Sequence, residues 1–140
     1  MSRSSWDGVA VGGSTAAALN EIGDFYLTPI RMYSPQRIKT KNPIVHISTR
    51  HIEWEDVDFE HGFPVTRIER TVIDLVLDDE DLSLIRDAYY DAQDKGFDFA
   101  RLRSIVDGLP PRKKKKIVRA FREGELLAAA TDLVVDAGTG

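Results

Sequence analysis

Apolar residues in the second half of the chain recur every three or four positions, whereas many in the first half alternate with polar ones. The first spacing lines one face of a helix and the second one face of a strand. Ile68, Val72, Leu75 and Val76 make one helical stripe, and Leu82, Ile85, Ala88, Tyr89 and Ala92 make another over about 82–95. Residues 78–81, Asp-Asp-Glu-Asp, break the first helix and cap the second, which Gly96 ends. Asp98 caps a short helix through Leu102 and Ile105, and Gly108 stops it. Pro110-Pro111 opens a last helix over about 112–130, since the first helical position has no use for an N–H. Residues 133–135 form its last turn or a short strand.

Upstream, Thr15 to Ile22 are good helix formers, with Ser14 placed to cap them and Gly23 to close them. Residues 30–33 and 44–48 alternate, with Pro29, Pro35 and Pro43 marking ends. Residues 57–59, 60–62 and 63–65 read as strand, turn and strand. The span 34–42 carries Arg37, Lys39 and Lys41 and reads as an exposed hairpin tip. The sum is an α+β fold: a small, mainly antiparallel sheet packed with about five helices, the C-terminal half helical. Residues 1–13 are expected to be a flexible lead-in, 14–136 the domain, and 137–140 a frayed tail.

Composition narrows the function. With 140 residues, 42% hydrophobic and 30% charged, the chain suits one domain with a core and a solvated surface. The absence of cysteine excludes disulfides, zinc–thiolate sites and thiol nucleophiles. Three histidines, irregularly spaced, suggest no metal site. Neither a signal-peptide core nor a run of ~20 apolar residues is present, so a cytoplasmic protein without membrane contact is expected.

Three clusters are candidates for chemistry. Thr66 followed by Glu69 has the spacing of a capping box, and Arg70 and Asp74, four apart, can pair on the helix. The structural reading has these four residues cap the helix and tie it to the sheet; the functional one has Arg67 and Arg70 touch a partner. Arg112, Lys113, Lys114, Lys115 and Lys116, extended by Arg119 and Arg122, form a basic helix. Arg112, Lys115, Lys116, Arg119 and Arg122 fall near one side, which suits phosphates, an acidic protein surface or plain solvent. Glu53, Glu55, Asp56, Asp58, Glu60 and residues 78–81 are the carboxylate-rich stretches a metal-dependent nuclease could use. Asp56 and Asp58 alternate with Val57 and Phe59, which predicts that they face solvent. Ser14 lacks the frame of a nucleophile elbow, and Gly12-Gly13-Ser14 lacks the lysine of a phosphate loop.

Residues 13–19, Gly-Ser-Thr-Ala-Ala-Ala-Leu, then a strand pair, then residues 63–75, Phe-Pro-Val-Thr-Arg-Ile-Glu-Arg-Thr-Val-Ile-Asp-Leu, resemble the C-terminal region of the AbiEi antitoxin family. That family tends to show a serine–alanine–leucine helix, a sheet, and a P-V-T-x-x-E-R-T-x-x-D-L segment. The match runs over roughly 11–102, with Thr66, Glu69, Arg70, Thr71, Asp74 and Leu75 its most specific part; a histidine that often precedes the first serine is Gly13 here. The resemblance implies a bacterial type IV toxin–antitoxin system, whose antitoxin opposes a nucleotidyltransferase-like toxin without needing a stable complex. Members usually carry an N-terminal winged helix that binds promoter DNA. Here the antitoxin-like helix starts near residue 14, so that module is not expected within these 140 residues, and DNA recognition by it is not carried over. The expectation is a non-catalytic antitoxin domain needing no cofactor or metal. The alternative is a nucleic-acid-binding transcriptional regulator acting through residues 112–122, with Arg112, Lys113, Lys115, Lys116, Arg119 and Arg122 as contacts.

Overall fold

The structure is a computed structural model and describes residues 5–124. Its strands are β1 (Ala10–Val11), β2 (Ile30–Ser34), β3 (Val45–Thr49), β4 (Val57–Asp58) and β5 (Val65–Thr66). Its helices are α1 (Gly13–Leu19), α2 (Ile68–Leu77), α3 (Leu82–Asp94), α4 (Phe99–Asp107) and α5 (Pro111–Glu123). The architecture is α+β with a helical second half, as the periodicity predicts. Among the described residues, no helix is long and apolar enough to cross a membrane. The expected continuation of α5 to 130, the element at 133–135 and the tail at 137–140 lie outside the described residues.

The sheet runs in the order β3-β2-β1-β5-β4. It is mixed: β1–β2 and β4–β5 are antiparallel, while β2–β3 and β1–β5 are parallel. The span 34–42 is exposed from Gln36 onward but is no hairpin tip. Residues 35–44 carry the chain back along β2 so that Ile30 pairs with Val45 and Ser34 with Thr49. A five-residue strand is ~17 Å long, well within the ~33 Å that ten extended residues can span.

The lead-in expectation is corrected from Ser5 onward. Ser5 bridges Glu53, and β1 is the middle strand of the sheet. Two residues suffice because their side chains point to opposite faces. Ala10 packs with Tyr33, Ile52 and Val57; Val11 packs with Ala16 and Val65. Gly12 then lets the chain turn into α1 directly over Tyr33, where a Cβ would collide with the ring. Ser14 does not cap: the N-cap is Gly12, and the helix ends at Leu19 with Asn20 as its C-cap. Thr15 fastens α1 instead, its hydroxyl donating to Leu27 O and accepting from Arg31 N.

The helical caps farther along are where local chemistry puts them. Asp81 accepts from Ser83 N at the start of α3, and Asp98 from Arg101 N at the start of α4. Gly96 sits beyond α3 at φ +82. The main core lies around α2, which touches each of the other four helices. Val72, Ile73, Leu75 and Val76 cover more than one face of it, the pattern of a helix surrounded by protein. Tyr89 meets Phe97 and Phe121 edge-on at 5.4 and 5.3 Å, the geometry that aromatic quadrupoles favour.

Candidate functional site

The capping box is absent. Thr66 belongs to β5, the N-cap of α2 is Arg67, and no side chain caps that helix. Thr66 is fully buried, and its hydroxyl pairs with that of Thr71 at 2.8 Å. The Thr71 hydroxyl also reaches Arg67 O at 2.8 Å, so strand and helix are joined across the bend. Glu69 points away from the helix start and accepts from Asp98 N at 2.8 Å, tying α2 to the beginning of α4. The carboxylate that suits a capping box thus satisfies a backbone donor 29 positions along the chain.

Arg70 and Asp74 do pair. Arg70 Nε lies 3.2 Å from both Asp74 oxygens and Nη2 3.0 Å from Oδ1. Asp74 has no solvent exposure and also receives Arg50 Nη1 at 3.1 Å. Arg50 Nη2 lies 3.0 Å from Asp78, whose other oxygen accepts from the Tyr33 hydroxyl. The Arg50 guanidinium stacks 4.5 Å from the Tyr33 ring centre, where the ring's negative face attracts it. A chain of five side chains therefore locks β2, the residue after β3, α2 and the turn that follows α2. Burial, reinforced by Asp74 and Asp78, pushes the Tyr33 phenol far above its ordinary range. Burial works against the Arg50 charge, but Asp74, Tyr33 and Asp78 together outweigh it and raise the pKa.

Asp56 corrects the expectation that the 53–60 carboxylates are solvated. It is fully buried, and Arg101 grips it with Nε at 2.7 Å and Nη2 at 2.8 Å. Strand alternation does not apply there because residues 54–56 form a 3-10 turn, which brings both Asp56 and Val57 inward. Among the described residues, no three carboxylate or imidazole groups converge as a metal would require.

The basic helix divides into two. Arg112, Lys115, Lys116 and Arg119 line one groove of about 580 Å³ together with Asp79, Glu80 and Glu123. Lys116 is engaged there, with Nζ 2.7 Å from Asp79 and 3.3 Å from Leu77 O. Arg122 is exposed near the end of α5. Lys113, next to Arg112 in sequence, lies about 100° around the helix from it and enters a different cleft, shared with Arg50 and Arg70. Arg67 stays exposed, donating from Nε to Glu55 O at 3.0 Å. The sequence does not mark Tyr33, Arg50 or Arg101 as site residues. Their carboxylate partners Asp78, Asp74 and Asp56 lie 45, 24 and 45 positions away, beyond any helical or strand spacing.

The chain matches no family model, no curated protein and no solved structure.

Proposed function

We propose that the chain is a non-catalytic antitoxin domain of the AbiEi type, opposing a nucleotidyltransferase-like toxin in a bacterial type IV system and acting in the cytoplasm. One observation carries the reading. Thr66, Glu69, Arg70, Thr71 and Asp74, which bear the resemblance, are all buried and engaged: Thr66 with Thr71 and Arg70 with Asp74 inside the segment, Glu69 with Asp98 N and Asp74 also with Arg50 outside it. A segment used this way is a scaffold, and the work falls to the surface that the scaffold presents. The carboxylates of the segment are held by arginines or backbone amides, an arrangement suited to rigidity.

Co-expression with a nucleotidyltransferase-like toxin encoded beside it tests the proposal, with colony formation as the readout. Growth should be restored by the wild-type chain. Unchanged toxicity, together with nucleotide or nucleic-acid turnover by the purified chain that a single carboxylate substitution abolishes, would refute it.

A second reading, nucleic-acid binding through α5, is favoured by the exposure of Arg112, Lys115 and Arg119 along one side of that helix. Asp79, Glu80 and Glu123 share the same groove and would repel a phosphate backbone. Replacing Lys113, Lys115, Lys116 and Arg119 with glutamate separates the two. Rescue that survives the loss of salt-sensitive DNA binding assigns the helix to DNA and the neutralising role to another face.

A further inference from the structure

The cleft that receives Lys113 has a volume of about 500 Å³ and gathers cations from four separate elements: Arg50 after β3, Arg70 on α2, Arg101 on α4 and Lys113 on α5. Three of these are engaged to different degrees. Arg101 is clamped on Asp56, and Arg50 commits both terminal nitrogens to Asp74 and Asp78. Arg70 is only 3% exposed and directs Nε and Nη2 to Asp74, while its Nη1 has no acceptor among the described residues. Lys113 makes no ion pair among the described residues and stands at the exposed rim. An arginine at the floor with a spare N–H and a lysine at the rim with no ion pair among the described residues leave cationic hydrogen-bond donors free at one point of the cleft.

We infer that this point is a binding site for the phosphate group of a small phosphate-bearing molecule, held between Lys113 Nζ and the Arg70 guanidinium with Arg50 behind. A guanidinium edge and an ammonium are complementary to a tetrahedral oxyanion, and charge-assisted hydrogen bonds of this kind are the strong ones. Partial burial and the Arg50 and Arg70 charges also hold the Lys113 amine below its ordinary 10.5, a cost that an arriving anion removes. Glu53 and Glu55 line the same cleft. They oppose a polyanionic strand, which would place further phosphates against them, more strongly than a single compact anion. Such a site is independent of the antitoxin proposal, because it concerns a ligand of the purified chain and not growth rescue.

Calorimetric titration of the full chain at low ionic strength tests it, with inorganic phosphate, adenosine monophosphate and an oligothymidylate as probes, each against sodium chloride of matched ionic strength. Saturable binding of phosphate or of the monophosphate is expected, weakened about tenfold or more in Lys113→Met. Lys95→Met, at an exposed position just past α3, should bind like wild type. Tighter binding of the monophosphate than of inorganic phosphate assigns the site to a phosphate ester; equal binding assigns it to the free ion. Because Lys113 is exposed, Lys113→Met should melt like wild type, and matching melting curves confirm that any loss is local. No saturable binding of either small probe overturns the inference. So does an equal loss in the two lysine variants, or binding of the oligonucleotide alone.

Discussion

Asp74→Asn tests the scaffold reading most directly, because it removes one charge and almost no volume. Asp74 is fully buried and serves two arginines. Arg50 keeps Asp78 after the change, but Arg70, itself 3% exposed, loses its carboxylate. Leaving a buried charge without its partner costs about 3–5 kcal/mol. The asparagine oxygen still accepts one hydrogen bond, which favours the lower end, about 3 kcal/mol. Against a total stability of about 5–15 kcal/mol for a domain, that is a large fraction. With an m-value of about 1.5 kcal/mol/M, the urea midpoint should fall by about 2 M. Asp107→Asn is the matched control: its carboxylate is half exposed beside Lys114 and Arg103, and its loss should cost about 0–1 kcal/mol. Urea unfolding followed by circular dichroism reads both variants. If Asp74→Asn falls no further than Asp107→Asn, the network is not what holds α2 to the sheet. Asp74 would then be a candidate for chemistry, and the non-catalytic reading would lose its main support.

Two further outcomes follow from buried hydroxyls. The Tyr33 phenol titrates far above its unfolded value of 10.0, so the folded state holds its proton where the unfolded state has lost it. Its contribution is complete below pH 10 and drains away as pH rises toward the folded pKa, by about 1.4 kcal/mol per pH unit. The stability difference between wild type and Tyr33→Phe should therefore shrink between pH 10 and 11; parallel curves over that range would contradict the buried geometry. The Tyr89 hydroxyl is buried without a hydrogen-bond partner among the described residues. Tyr89→Phe should accordingly raise the melting temperature or leave it unchanged, with up to about 1 kcal/mol regained, and clear destabilisation would mean the hydroxyl has a partner.

The helices beyond α2 were the most legible part of the molecule, because their signals act within one turn of the chain. Asp81 and Asp98 cap the next helix whatever lies across from them, Pro111 starts α5, and the stripe of α3 names its own buried face. The exposure of 36–41 was equally readable from its charges. What tertiary structure decided was pairing. Two residues, Ala10 and Val11, carry too little pattern to declare a strand, yet they form the middle of the sheet because Val65 and Met32 close on them from either side. The direction of β3 depends on where residues 35–44 travel, and that path has no sequence period. Capping propensity placed Thr66 and Glu69 at a helix start, but a fully buried strand hydroxyl and an unsatisfied amide at Asp98 made the stronger claims on them. Asp56 finds Arg101, and Tyr33 finds Asp78, each 45 positions away. A charged or hydroxylated side chain is stable in the interior only beside its complement, and the identity of that complement is a property of the folded chain, not of the neighbours in sequence.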